Sequence, residues 1–382
     1  MIPFTEMIKD AQWIALLSLA FFTFISLIYY WSVFSRVAFR SLSKETPDKD
    51  KMPVSVVICA KNEYENLEKN LPLILEQEYS EYEVILVNDF SDDDSYFLLK
   101  KLQEKYPHFK VINLRENVNF FSGKKLALAL GIKSAKYDII LLTDADCIPA
   151  GKDWIKSMVS AFDKNTELVL GYGGYRSLPG FLNLLIRYDT MFIALQYLGF
   201  ALAGKPYMGV GRNLAYKKEL FFRQGGFTSH YKVKSGDDDL FVNKAASRHN
   251  TRITLSPDSF TISEPEKTFR GWFKQKKRHL STGIYYRGSD KFRLGLFAFS
   301  HTMFYISLIV FLILMKCCLT LYIALGLIFI KYFSLLLILN YAGKKFNERK
   351  LFLYSPIFDM IFAFLNPVFA ISNLLYRKNK WK

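Results

Sequence analysis

Cysteine is scarce in this 382-residue chain: there are four, and two of them, Cys317 and Cys318, are neighbours. So few thiols exclude a disulfide-stapled scaffold, and no pair has the C-x-x-C spacing of a zinc or redox site. Internal repeats and low-complexity tracts are absent too. Acidic residues are outnumbered, 35 Asp and Glu against 51 Lys and Arg, which leaves a net charge of +16. Such an excess suits anionic lipid, nucleotide phosphates or nucleic acid. The aromatic-interleaved basic face of a nucleic-acid binder is missing, so no nucleic-acid partner is expected. What is abundant is apolar: 51% of residues are hydrophobic and 23% charged. That is too apolar for a disordered chain and too charged for a pure membrane bundle. At ~150 residues per unit, two or three units are expected.

Charge is missing altogether from Ala11 to Ser35, AQWIALLSLAFFTFISLIYYWSVFS. This run exceeds the ~20 residues needed to cross a bilayer, and Trp13, Tyr29, Tyr30 and Trp31 suit interfacial belts. A cleaved signal peptide has a shorter apolar core and ends in small residues. Residues 11–35 therefore read as an uncleaved anchor, preceded by a short extracytoplasmic stretch, 1–10. Arg36, Arg40 and Lys44 follow the run and place the next segment in the cytoplasm. A second membrane zone, 294–342, reads as two spans, Leu294–Met315 and Cys317–Ala342. Lys331 sits near the middle of the second and must snorkel or face a polar seam. Residues 351–376 are long enough to span but contain Asp359, Pro356 and Pro367 and run into the basic tail Arg377–Lys382. A re-entrant or surface-lying course is favoured over a span.

Between these zones, short β-rich runs alternate with helical ones. Val54–Cys59, Tyr82–Val87, Lys110–Leu114 and Asp138–Thr143 are near-continuous apolar runs, as buried parallel strands are. Helices are expected at Glu65–Leu75, Tyr96–Lys105 and Lys124–Ala135. The alternation predicts a doubly wound α/β domain that binds ligands outside the carboxyl ends of its strands. Phe181–Ala203 is apolar, but Arg187, Asp189 and Gln196 within it favour a helix lying on the domain or membrane surface.

Carboxylates follow three of the strands: Glu63, then Asp89, Asp92 and Asp93, then Asp144 and Asp146. In an extended chain residues i and i+2 share a face, so Asp144 and Asp146 point the same way. Two like charges so placed repel unless a cation lies between them, and oxygen donors suit Mg²⁺ or Mn²⁺. Asp-x-Asp is also common in solvated turns and helix caps. Cys147 beside it reads as a small packed side chain, and Lys125 as a solvated first-turn residue.

VSVVICAKNE, VILVNDFSDDDS, GKKLALALG, LLTDADC, MGVGRNLAYKKELF, SGDDDLF and QKKRH, in this order and spacing, resemble a family 2 glycosyltransferase of the GT-A fold, in its membrane-bound branch. The resemblance covers about Met52–Gly283 and implies a GT-A domain over 52–265. Residues 266–293 then form an amphipathic interface segment carrying a Q-x-x-R-H motif.

That resemblance implies roles residue by residue. Asp89 would contact the nucleoside base, with Ala60, Asn62 and Glu63 lining the same cleft and Lys124 near the ribose or phosphates. Asp146 would hold the metal on the diphosphate, and Asp144 the ribose or the same ion. Asp237 matches the catalytic base, with Asp238 its substitute because Gly236 departs from the family's usual Glu; Asp239 reads as a helix cap. Gln275 and Arg278 belong to the motif near the leaving diphosphate, and His279 stands where the family has an acceptor-stacking Trp. Gly211, Arg212, Asn213, His279 and Trp272 fall on the acceptor side. The plain alternative for Lys274–Arg278 is a basic stripe resting on anionic lipid.

The implied activity is inverting, metal-dependent transfer from a nucleotide sugar, by default a UDP-sugar. The acceptor would be a membrane-associated lipid or glycan, and the protein would sit in the cell (inner) membrane with its catalytic domain cytoplasmic. A processive synthase that extrudes its product is one alternative. A non-catalytic nucleotide-sugar sensor or membrane scaffold is another.

Overall fold

The computed structural model describes residues 4–41, 52–114, 123–233 and 235–375. The expectations for the chain's first residues, for Lys44 and for the basic tail from Arg377 on lie outside them. Two compact units form among the described residues: one within Ser41–Tyr285, and one made of the N-terminal helix through Arg40 together with residues 286–375.

In the first unit the strands are β1 (Val54–Ala60), β2 (Tyr82–Asp89), β3 (Phe109–Leu114), β4 (Ile139–Asp144), β5 (Cys147–Pro149), β6 (Leu168–Leu170), β7 (Gly173–Tyr175), β8 (Leu214–Lys217), β9 (Thr251–Ile253) and β10 (Thr261–Ser263). A seven-stranded sheet runs β3-β2-β1-β4-β8-β6-β9. Its first four strands are parallel, and β8 is antiparallel to both β4 and β6. A small sheet, β5-β10-β7, stands apart. β1 is buried along its length, which is why its sequence is an apolar run rather than an alternation. Helices Tyr64–Leu75, Ser95–Lys105 and Trp154–Val159 bury Leu67, Leu71, Leu99, Trp154 and Met158 against the same core as Val56 and Leu86. Helix Lys124–Ser134 packs close to the sheet: a Cβ on Gly131 would come within 2.5 Å of Val57.

All four expected strands and three expected helices are present, with ends moved by one or two residues. Phe181–Leu202 is a helix as expected, and it packs on the domain. Tyr188, Met191, Leu195 and Leu198 are buried in the domain, Gln196 accepts from Tyr207 Oη at 3.1 Å, and Asp189 is buried with a partner. The short strands β5 to β10 were not legible in sequence, since strands of three or four residues carry no period.

In the second unit four helices are long and apolar enough to cross a membrane: Asp10–Ala38, Gly288–Leu314, Cys318–Lys345 and Leu351–Asn373. Their polar groups face one another. Ser18 and Ser307 hydroxyls meet at 2.8 Å, Tyr29 Oη donates to the Arg293 carbonyl at 2.7 Å, and Gln12 donates to Thr320. With no water available, such bonds hold helices together by satisfying groups that lipid cannot. The first C-terminal helix starts at Gly288 rather than Leu294, since the charged residues Asp290 and Arg293 pair within its first turns. In the last segment Ser355–Leu375 is one unbroken helix through Pro367. The residue that argued against a span is fully partnered. Asp359 accepts from Lys331 Nζ and from Tyr305 Oη, each at 2.6 Å, and His301 Nε2 lies 3.0 Å away. Lys331 does not snorkel; its ammonium also faces the rings of Phe304 and Tyr332 at 4.5 and 4.8 Å.

Candidate active site

β1, β2 and β4 end side by side: Ala60 pairs with Asn88, and Cys59 with Asp144. The chain leaves β1 and β2 through residues in the left-handed region, Asn62 (φ 55°) and Phe90 (φ 54°). Asn62 latches the two turns, its N–H donating to Ser91 Oγ at 3.0 Å and its Oδ1 accepting from Asp92 N–H at 2.8 Å. Glu63 accepts from Asn66 at 2.6 Å. Ala60 and Asp89 are buried at their strand ends. Burial raises the pKa of Asp89, against the pull of Lys61.

Lys124, the first residue of helix Lys124–Ser134, joins two distant parts of the chain. Its Nζ lies 2.7 Å from Asp144 and 3.1 Å from Asp237. Desolvation opposes its charge, but Asp144, Asp237 and Asp238 overcome it and hold the pKa well above the ordinary lysine value. Lys125 is not solvated, contrary to expectation. It is buried, donating to the carbonyls of His230 at 2.8 Å and Val233 at 2.6 Å, and so ties down the loop that leads to the acidic run.

Asp144, Asp146 and Cys147 offer ligand atoms within 4.8 Å of one another. The thiol is a poor candidate ligand: burial, then Asp146 and Asp144, hold its pKa well above the usual value, and it meets Ser263 Oγ at 3.0 Å. Cys147 is therefore the packed side chain expected. The two carboxylates are the usable donors, and oxygen donors fit a hard divalent cation. Asp146 makes no ion pair among the described residues, and burial followed by Asp144 raises its pKa. The repulsion inferred from Asp-x-Asp is thus present in three dimensions. Arg212 is the nearby counter-charge. Its guanidinium stacks at 4.5 Å over Tyr175, and its buried Nε has no hydrogen-bond partner among the described residues. A Cβ on Gly173 would come within 2.4 Å of that Nε, so the glycine makes room for the arginine.

In the acidic run, Gly236 adopts φ 94° and a Cβ there would lie 2.5 Å from Leu240, which explains glycine in place of a side chain. The carboxyl with the raised pKa is that of Asp238, not Asp237. Burial raises the pKa of Asp237 too, but Lys124 outweighs it and the net shift is downward. Asp238, crowded by burial, Asp237 and Asp239, is pushed up to about 7. The cap also moves: Asp238, rather than Asp239, accepts from the Asp239 N–H, and its other oxygen accepts from Gly211 N–H, both at 2.7 Å. Asp239 accepts instead from Leu240 N–H and from the Thr282 hydroxyl.

Gln275, Arg278 and His279 lie on helix Phe269–Leu280, opened by the Thr268 cap. His279 is exposed at the helix end although the protein around it is dense. Desolvation, then Arg278, Arg212, Lys276 and Lys124, push its imidazole down to about 3, so it is neutral at pH 7. Two residues expected on the acceptor side have internal partners here. Trp272 is buried against Phe269, and Asn213 is fully buried, bonded to Trp154 Nε1 and to the carbonyls of Tyr172 and Ser259. Lys276 is buried as well, and so does not belong to a lipid-facing stripe.

Comparison with known proteins agrees with the motifs. The family model described as "Glycosyl transferase family 2" matches residues 55–222, and "Glycosyl transferase family group 2" matches 139–344, more than half of the 382 residues. The chain belongs to the family 2 glycosyltransferases. This glycosyltransferase is 33% identical over 263 residues to the poly-beta-1,6-N-acetyl-D-glucosamine synthase of Staphylococcus aureus (strain COL), a match covering 67% of the chain and 60% of that protein. It is 30% identical over 141 residues to the enzyme of that name from Staphylococcus epidermidis, covering 37% and 33%. The chain thus spans between a third and three fifths of these curated relatives. Among solved structures, a mannosyltransferase from Pyrobaculum calidifontis, in complex with GDP-Man and Mn²⁺, shares the fold at a TM-score of 0.63 and 20% identity, covering 97% of this chain and 100% of that one.

Sequence reasoning missed Lys125, Asp189, Lys276 and Thr282 as structural partners of this glycosyltransferase's site. Only Asp189 carried a signal, a carboxylate in an otherwise apolar helix.

Proposed function

We propose that the protein is a membrane-anchored, inverting glycosyltransferase acting at the cytoplasmic face. It moves a sugar from a nucleotide sugar, by default a UDP-sugar, to a lipid or glycan acceptor held at the membrane. The observation that carries this reading is Lys124, which brings Asp144 and Asp237 to one ammonium beside the strand ends where an α/β sheet binds ligands.

In this reading Ala60, Asn62, Glu63 and Asp89 surround the nucleoside. Asp146, with Asp144, holds Mg²⁺ or Mn²⁺; when bound, the ion offsets charge on the donor diphosphate. Lys124 keeps Asp144 and Asp237 ionised. Asp237, its pKa lowered, takes the proton from an acceptor hydroxyl whose oxygen attacks the anomeric carbon opposite the departing nucleoside diphosphate, and the configuration inverts. Arg278, with Gln275 beside it, faces the charge that develops on the leaving group, a task for a permanently charged planar fork. Gly211, Arg212 and the neutral His279 lie on the acceptor side. Asp238 is the weaker base candidate because its oxygens already accept two backbone N–H groups.

The test is a panel of nucleotide sugars offered to purified protein in detergent, reading released nucleoside diphosphate. Release from one UDP-sugar, lost in excess EDTA, is the expected result; silence with every donor overturns the reading. The synthase names of the staphylococcal relatives favour UDP-N-acetylglucosamine as the first donor and a chain-extending synthase as the second reading. Product length separates the two.

A further inference from the structure

Helix Phe269–Leu280 is fastened at two points that the proposed chemistry does not use. Lys276 lies inside the motif, between Gln275 and Arg278, yet its ammonium does not reach solvent. It donates to both carboxylate oxygens of Asp189 at 2.6 Å, with Lys276 and Asp189 only 7% and 8% exposed. Burying two charges costs several kcal/mol, and an apolar pair of similar volume would hold two helices at least as firmly. An ion pair adds direction: only one placement of the helix puts the ammonium on the carboxylate. The second fastening is at the other end. The Thr282 hydroxyl shares its proton between Asp239 Oδ2 and the His279 carbonyl, 2.8 Å away. Asp239 is two residues from Asp237 and is bonded at its other oxygen to Leu240 N–H, inside the acidic run. The helix that carries Arg278 is therefore tied to helix Phe181–Leu202 on one side and to the base-bearing segment at its end.

We propose that Lys276 and Asp189 are positioning residues: their buried pair, with the Thr282–Asp239 tether, sets where Arg278 stands relative to Asp237. This rests on the reading of Arg278 given above. A misplacement of about 1 Å in a catalytic group can cost ~100-fold, so releasing the clamp should reduce turnover without removing any reacting group.

The experiment compares Lys276→Met, Lys276→Arg, Arg278→Ala and the double variant Lys276→Met/Arg278→Ala, measuring kcat, donor KM and hydrogen exchange across Phe269–Leu280. Lys276→Met should lower kcat about tenfold or more while donor KM stays within about twofold, and exchange in the helix should quicken. Lys276→Arg, which keeps the charge, should recover most of kcat. In the Arg278→Ala background, Lys276→Met should cost nothing further, because the group it positions is gone. A kcat unchanged per folded molecule, or the same loss in both backgrounds, would overturn the proposal even if melting temperature falls. Full turnover by Arg278→Ala would instead sink the reading of the site. Hydrogen exchange then judges the clamp alone, and unchanged protection in Lys276→Met rejects it.

Discussion

Lys124 meets Asp144 at 2.7 Å in the α/β unit, and Lys331 meets Asp359 at 2.6 Å among the apolar helices. In the first pair the side chains are 17% and 32% exposed; in the second, 0% and 2%. The first lysine is also shared with Asp237, and the neighbouring Asp146 makes no ion pair among the described residues, so the cluster has acceptor capacity left for a ligand. The second is closed: Asp359 takes Lys331, Tyr305 and His301, and aromatic rings cover the ammonium. Nearly equal contacts thus differ in what surrounds them. A reachable, incompletely matched cluster can bind and react, whereas a sealed and matched one can only hold helices together.

The strongest way to break this comparison is at the proposed base. Asp237→Asn should lower transfer by about 10³-fold while nucleotide binding persists, since the base acts on the acceptor. Turnover and calorimetric binding of the nucleoside diphosphate measure the two halves. A dead Asp238→Asn beside an active Asp237→Asn would shift the base by one residue. Asp146→Asn should likewise stop cation-dependent turnover yet leave the melting temperature unchanged, because no ion pair is lost. A lower melting temperature there would mean the open cluster is structural after all.

The sealed cluster should answer in the opposite sense. Asp359→Asn strands a buried ammonium and should destabilise the protein by about 3–5 kcal/mol, whereas Lys331→Met with Asp359→Leu should restore most of the loss. Thermal unfolding in detergent reads both, and a single variant as stable as wild type would remove the lock. The smallest effect is a pH slope. The folded state raises Asp238 from the ordinary 3.8 to about 7, so between those values it holds a proton that the unfolded chain has released. Its contribution to stability therefore falls as pH rises through that window. Asp238→Asn should flatten that part of the melting-temperature profile, and an unchanged slope would assign the titration to another group.

Much of the fold was legible because buried parallel strands write themselves as continuous apolar runs, as VSVVIC and DIILLT do, and a bilayer demands an uninterrupted apolar stretch. The strand-end carboxylates were legible for the same reason: a strand that stops fixes where the next residues lie. What the sequence left illegible lies in single polar side chains. Trp272 and Asn213 carry groups that suit a ligand, but both are buried among internal partners. A re-entrant or surface-lying course was favoured for the last segment partly because Asp359 was read without the partners it has here.

By itself, then, the sequence determined the parallel sheet, the places where its carboxylates emerge, and four apolar stretches long enough to span. Each follows from a local period or run that any folded form must satisfy. Only the tertiary structure decided what each lysine does. Lys124 joins two carboxylates of the site, Lys125 holds a loop, Lys276 clamps a helix and Lys331 closes a membrane seam. The energy of a charge is set by the partner and the solvent within a few ångströms of it, and those neighbours come from distant parts of the chain.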